Sequence, residues 1–207
     1  GKRAFLETHG YAETFGRRQF QKMNPAVPLN GWGVYDDELF KFAKRKFVEL
    51  EASGKPFNLT VLTVGMHGPD GQLAPACASP RGDYRDTIYC TAALIKDFVN
   101  FVENESRGGG PEIVIVGDHL AMQSAAAQKL EGQSDRRIFN LFIGPQRGRQ
   151  PNRNDIDHFD LFPTILARLD YGMDGGRAGL GCAGFGPVHC DTLAHDAEID
   201  AKLARHS

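Results

Sequence analysis

An α/β fold is predicted by three features: apolar strand-like runs, stretches of helical period alternating with them, and glycine-rich connections. Residues 36–54 form the first clear helix. Asp36-Asp37-Glu38 puts negative charge at its positive end, Leu39, Phe40, Ala43, Phe47 and Leu50 make an apolar stripe, and Gly54 stops it. Residues 57–65 alternate apolar and polar side chains and are rich in β-branched types, which predicts a strand. Residues 91–104 place Ala93, Leu94, Phe98, Phe101 and Val102 at helical spacing, a second helix. Glu112 to Gly117 is a continuous apolar run between Pro111 and Asp118, read as a fully buried strand. A third run at 138–143 follows a short alanine-rich helical segment. A last helix covers about 162–169, with Asp160 as its cap and Pro163 in its first turn. The order predicts a parallel-rich sheet with helices on its faces. No repeat or linker interrupts it, so residues 1–207 read as one domain.

Composition narrows the function classes. Lys and Arg number 24 against 26 Asp and Glu, so 24 − 26 = −2, and no basic surface points to nucleic acid. No run of about 18 apolar residues is present to read as a membrane span. A chain of 207 residues buries roughly 70% of its unfolded surface, enough for a core without disulfides. Glycine, at 24 residues, clusters at 108–110 and 172–186 and marks structured loops. Four cysteines fall as two local pairs, Cys77 with Cys90 and Cys182 with Cys190. Their spacing is too wide for a Cys-x-x-Cys metal motif. Two disulfides in an oxidising compartment, or free thiols, are the readings it allows.

In α/β sheets ligands gather beyond the carboxyl ends of strands, where loops converge. Two such ends carry chemistry here. Asp118-His119 ends the second strand, and a carboxylate beside an imidazole suits Zn²⁺ or Mn²⁺. The alternative is that Asp118 caps a helix beginning near Leu120. Two ligands do not complete a metal centre, which needs at least three protein groups. The first strand runs into Met66-His67-Gly68-Pro69-Asp70-Gly71. There the His67 imidazole is placed to bond a phosphate or sulfate oxygen or to shuttle a proton, or else is an exposed loop histidine. Trp32, the single tryptophan, lies between Gly31 and Gly33, so its ring either faces a ligand such as a sugar or plugs the core. The Gly176 to Gly181 stretch follows no clear strand and is a poor phosphate loop.

Three stretches occur in a telling order: Trp32-Gly33-Val34-Tyr35-Asp36-Asp37, Leu62 through Gly71, and Val116-Gly117-Asp118-His119-Leu120-Ala121-Met122. Together they resemble the bacterial phosphoglycerol transferases that decorate osmoregulated periplasmic glucans. With the lipoteichoic acid synthases, these belong to the sulfatase-like branch of the alkaline phosphatase superfamily. The resemblance runs from Lys2 to about Gly186 and implies a sulfatase-like α/β sheet with helices on both faces. It further implies a divalent-metal-dependent reaction (Mn²⁺, Mg²⁺ or Zn²⁺) in which a threonine nucleophile passes phosphoglycerol from phosphatidylglycerol to a glucan hydroxyl. Asp118 and His119 match metal ligands, His67 matches the histidine that contacts phosphoglycerol, and Lys2 falls near a basic substrate contact. Trp32 joins them as the sugar-facing candidate.

Cys77 and Cys90 coincide with a cysteine pair of the family, which implies a disulfide there. Where Cys182 stands the family often has arginine. The family's metal-binding Glu and nucleophilic Thr lie upstream of the Lys2 region. The chain therefore reads as the C-terminal part of the catalytic domain, truncated on its N-terminal side and carrying no catalytic nucleophile. Such a fragment is expected to bind metal weakly, to be inactive alone, and to self-associate through an opened sheet edge. The parent is expected to be anchored in the inner membrane with this domain in the periplasm. Two other readings remain open: another enzyme of the superfamily, such as a phosphoethanolamine transferase or a sulfatase, and a non-catalytic module that binds glucan.

Overall fold

The computed structural model describes residues 2–121, 124, 127–130, 132–145, 151–153, 155–187, 190 and 201. Its helices are α1 (Lys2–Thr8), α2 (Arg17–Met23), α3 (Asp36–Ala52), α4 (Tyr84–Glu105), α5 (Ala127–Leu130) and α6 (His158–Arg168). Its strands are β1 (Ile113–Val116), β2 (Asn140–Ile143), β3 (Arg177–Ala178) and β4 (Gly181–Cys182). Two compact units result, Gly1–Gly110 with Ile115–Asn140, and Pro111–Val114 with Leu141–Ser207. Among the described residues no helix is long and apolar enough to cross a membrane.

In the first unit the apolar stripe predicted for α3 is the face that packs. Phe40 meets Phe98 of α4 with ring centroids 5.3 Å apart, and Phe47 meets Phe101 at 6.3 Å. A second cluster gathers Phe20, Val27 and Val34 with Leu29, Leu39 and Phe42 beside them. α4 begins earlier than its apolar period indicates, at Tyr84, where the Asp83 carboxylate accepts the Arg85 N–H and caps about two additional turns. Cys77 and Cys90 form a disulfide that ties the preceding loop to α4.

Residues 57–65 are a correction to the sequence reading, since they form no strand. No backbone hydrogen bond engages residues 57–63 among the described residues. β-branched side chains favour an extended backbone, but a ladder exists only where a neighbour supplies donors and acceptors. β1 departs in a related way: among the described residues it pairs only with β2, and it is half-buried, with Val116 38% exposed.

In the second unit, α6 starts at His158 and its cap is Asp157, not Asp160. The Asp157 carboxylate accepts the N–H groups of Phe159 and Asp160, while Asp160 answers by accepting the Asp157 N–H. Two aspartates three residues apart satisfy a capping box together, which a reading of either alone misses. Asp160 is fully buried; it also accepts the Cys182 N–H at 2.8 Å and pairs with Arg153 at 2.7 Å. Pro163 inside α6 has no N–H for the Phe159 carbonyl, and Gly181 backs onto that carbonyl where a Cβ would not fit. β3 and β4 pair antiparallel, Arg177 with Cys182 and Ala178 with Gly181, so the glycine-rich 176–181 stretch is a hairpin. Cys182 and Cys190 form the second disulfide. Arg168 and Glu112, 3% and 4% exposed, make a buried pair at 2.5 Å.

Candidate functional site

Trp32 is carried by a tight reversal. Asn30 donates its N–H to the Gly33 carbonyl at 2.8 Å, and its side-chain oxygen accepts the N–H groups of Trp32 and Gly33. A bridge between Leu29 and Val34 closes the turn, and burial of Val34 anchors it. The indole is thus pushed outward, 58% exposed, and does not plug the core.

The reversal leads directly into α3, whose first residue, Asp36, is 1% exposed. Its carboxylate accepts the Val64 N–H at 2.8 Å, the Gly65 N–H at 2.9 Å and the Thr91 hydroxyl at 3.2 Å. Those amides end the 57–65 segment and open the His67 loop. The loop is tied internally by His67 N–H to Val64 C=O, Gly71 N–H to His67 C=O and Gln72 N–H to Gly65 C=O. The Tyr84 hydroxyl donates to the Met66 carbonyl at 2.6 Å. The Gly68-Pro69 peptide is cis.

This scaffold brings two predicted residues together. The rings of Trp32 and His67 stack with centroids 3.6 Å apart and planes 29° apart. His67 Nδ1 lies 2.9 Å from the Gly68 carbonyl, an atom that only accepts, so Nδ1 carries the proton and Nε2 is left for a ligand. The result is an exposed aromatic step with Nε2 at its edge, whose lone pair accepts from a hydroxyl in the neutral ring and whose N–H donates to an anionic oxygen in the imidazolium form.

Burial pushes the Asp36 carboxyl above its ordinary 3.8, and hydrogen bonds from Val64, Gly65 and Thr91 offset only part of this. The folded chain therefore holds this proton to higher pH than the unfolded chain does. That contribution favours folding at low pH and is lost as pH rises from 3.8 through the raised folded value. Urea unfolding at stepped pH is expected to show the wild-type chain losing stability relative to Asp36→Asn across that window. A difference that stays constant with pH would rule the linkage out.

Asp118 and His119 follow β1, and no helix begins at Leu120, so Asp118 is not a cap. Their side chains are 66% and 55% exposed, with Asp118 Oδ1 3.7 Å from His119 Nε2. That is beyond hydrogen-bond length, so both atoms are available to one ion. His119 Nδ1 donates to the Leu120 carbonyl at 2.8 Å, which leaves the Nε2 lone pair as the donor a metal requires. Tautomer and donor types fit a divalent cation. Among the described residues, however, no group of three or more His, Cys, Asp or Glu gathers to hold one. Lys2 is exposed at the start of α1. Asn30, Asp36 and Tyr84, which shape the site, were not among the sequence candidates. The signal for Asp36 was present in the triple-acid helix start, which equally describes an exposed first turn.

An α/β chain with an Asp-His pair at a strand end and a histidine loop after an extended segment belongs to the sulfatase family, which matches residues 2–171. Its curated relatives are more particular. The chain is 31% identical over 178 residues to phosphoglycerol transferase I of Salmonella typhi, covering 80% of this chain and 23% of that protein. It is 32% identical over 165 residues to the Citrobacter koseri protein of the same name, covering 75% of this chain and 21% of that one. Against that of Escherichia coli it is 31% identical over 183 residues, covering 83% and 24%. The chain thus spans under a quarter of the length of these relatives. No solved structure matches it.

Proposed function

We propose that this chain is part of a metal-dependent phosphoglycerol transferase that moves phosphoglycerol from phosphatidylglycerol to a glucan hydroxyl at the periplasmic side of the bacterial inner membrane. The observation that carries the reading is the Trp32–His67 stack, which joins two residues distant in sequence on one exposed step. Relatives named phosphoglycerol transferase I support the substrate class, and two disulfides accord with an oxidising compartment. In this role His67 holds the phosphoryl oxygen through the Nε2–H of its imidazolium form, and the Trp32 face excludes water beside the glycerol or sugar. Asp118 and His119 would hold the divalent ion, Mn²⁺, Mg²⁺ or Zn²⁺, with ligands from outside the described residues. When bound, that ion supplies neutralisation of phosphoryl charge and a lowered pKa for the attacking hydroxyl. The nucleophilic threonine is assigned outside this chain. Lys2 is kept as a basic contact to the substrate.

The test uses the chain itself, with glycerol phosphate as probe and Trp32 emission as readout. Saturable quenching is expected, weakened about 10- to 100-fold in His67→Ala for loss of a hydrogen bond to a charged group. Absence of binding would overturn the reading. Preference for phosphoethanolamine would point to another transferase of the superfamily, and binding of glucan alone would point to a non-catalytic module.

A further inference from the structure

Between the Trp32 reversal and the His67 loop lies one buried carboxylate. The reversal is closed by the Leu29–Val34 bridge and passes through Tyr35 straight into Asp36. The peptide N–H groups of Val64 and Gly65 that Asp36 accepts immediately precede Met66 and His67. Apart from the ring stack, these hydrogen bonds are what tie the 29–36 stretch to residues 64–67 among the described residues. The approach is close enough that Gly65 has no room for a Cβ, which would lie 2.5 Å from Asp36 Oδ2. The carboxylate is held by α4 as well, because the buried Thr91 hydroxyl donates to the same Oδ2 that accepts the Gly65 N–H.

We propose that Asp36 is a positioning residue: its carboxylate fixes the spacing of Trp32 and His67 and so aims His67 Nε2 at the ligand. The aim, though not the stack, rests on the phosphoglycerol reading. A carboxylate is required because both amides and the hydroxyl are donors. In Asp36→Asn one oxygen becomes an N–H donor facing other donors, leaving buried groups unpaired.

The experiment is a double-mutant cycle read on the emission of Trp32, the single tryptophan, in the unliganded chain. An imidazole held on an indole face quenches it, so His67→Ala is expected to raise emission and set the unstacked level. Asp36→Asn, folded by far-ultraviolet circular dichroism, is expected to reach that same level. Adding His67→Ala to it should then change nothing. Phe47→Leu loosens α3 packing without touching Asp36 and should keep wild-type emission, which separates positioning from general destabilisation. Wild-type emission in Asp36→Asn, or an undiminished His67→Ala effect in that background, would overturn the proposal. If Asp36→Asn does not fold, Thr91→Val removes one donor to the carboxylate and should give a partial rise. Wild-type emission in Thr91→Val would then be the overturning result. Glycerol phosphate affinity, measured on the same variants, should fall in Asp36→Asn as far as in His67→Ala. The expected emission pattern without any glycerol phosphate binding would sink the phosphoglycerol reading and leave Asp36 as the residue that sets the stack.

Discussion

Arg168→Ala is expected to cost roughly 3–5 kcal/mol of stability, because it leaves Glu112 as an uncompensated buried charge. Nε and Nη2 of Arg168 meet the two carboxylate oxygens of Glu112 at 2.5 and 3.2 Å, a bidentate grip, and both side chains are almost wholly buried. The guanidinium also sits 4.9 Å from the Phe185 ring centroid, so packing is lost along with charge. Urea unfolding measures the loss. The double change Glu112→Leu with Arg168→Met is expected to recover most of it, since apolar side chains of similar volume replace buried pairs at little cost. A loss for Arg168→Ala below about 1 kcal/mol, the range of exposed pairs, would mean that water reaches Glu112.

Gly65→Ala is the second large effect expected. The new Cβ would lie 2.5 Å from both Asp36 Oδ2 and Thr91 Oγ1, two oxygens that are themselves packed and hydrogen-bonded. Overfilling a site of this kind costs roughly 1–3 kcal/mol, and here the strain falls on the carboxylate that grips the His67 loop. Unfolding should shift to lower urea, and Trp32 emission should rise in the folded variant. Thr91→Ala in the same chain removes one obstruction and is expected to return part of the stability. Unchanged stability in Gly65→Ala would mean that the 64–65 peptide moves freely away from α3.

Much of this architecture was legible because it is local. The acidic start and apolar stripe of α3, the helical period of α4, the apolar runs of β1 and β2, and the pairing of cysteines near in sequence all depend on nearby residues. What failed depends on partners. Residues 57–65 have the composition of a strand, yet strand formation is a property of two backbones, and no composition reveals whether the second is there. The continuous apolar run of β1 predicts full burial for the same reason. Of the site, Asp118 and His119 are chain neighbours, so their proximity was given. The meeting of Trp32 with His67 is not, because the sequence presents one as a ring between glycines and the other as an imidazole in a distant loop. Asp36 was hidden by its own plausibility: an acid opening a helix explains itself through the helix dipole, and nothing in the string tells a solvated carboxylate from one turned inward to hold two amides.

Asp160 has a bearing on how the second unit opens. Its carboxylate is shared by the first turn of α6, by the N–H of Cys182 and by the guanidinium of Arg153. The next two amides are held by different partners, Ala183 by the Gly176 carbonyl and Gly184 by the Thr164 hydroxyl. These attachments fall on three consecutive residues and reach α6 and the β3 hairpin at once. The amides of Cys182, Ala183 and Gly184 are therefore expected to exchange with solvent deuterium at one common opening free energy, as a single cooperative unit.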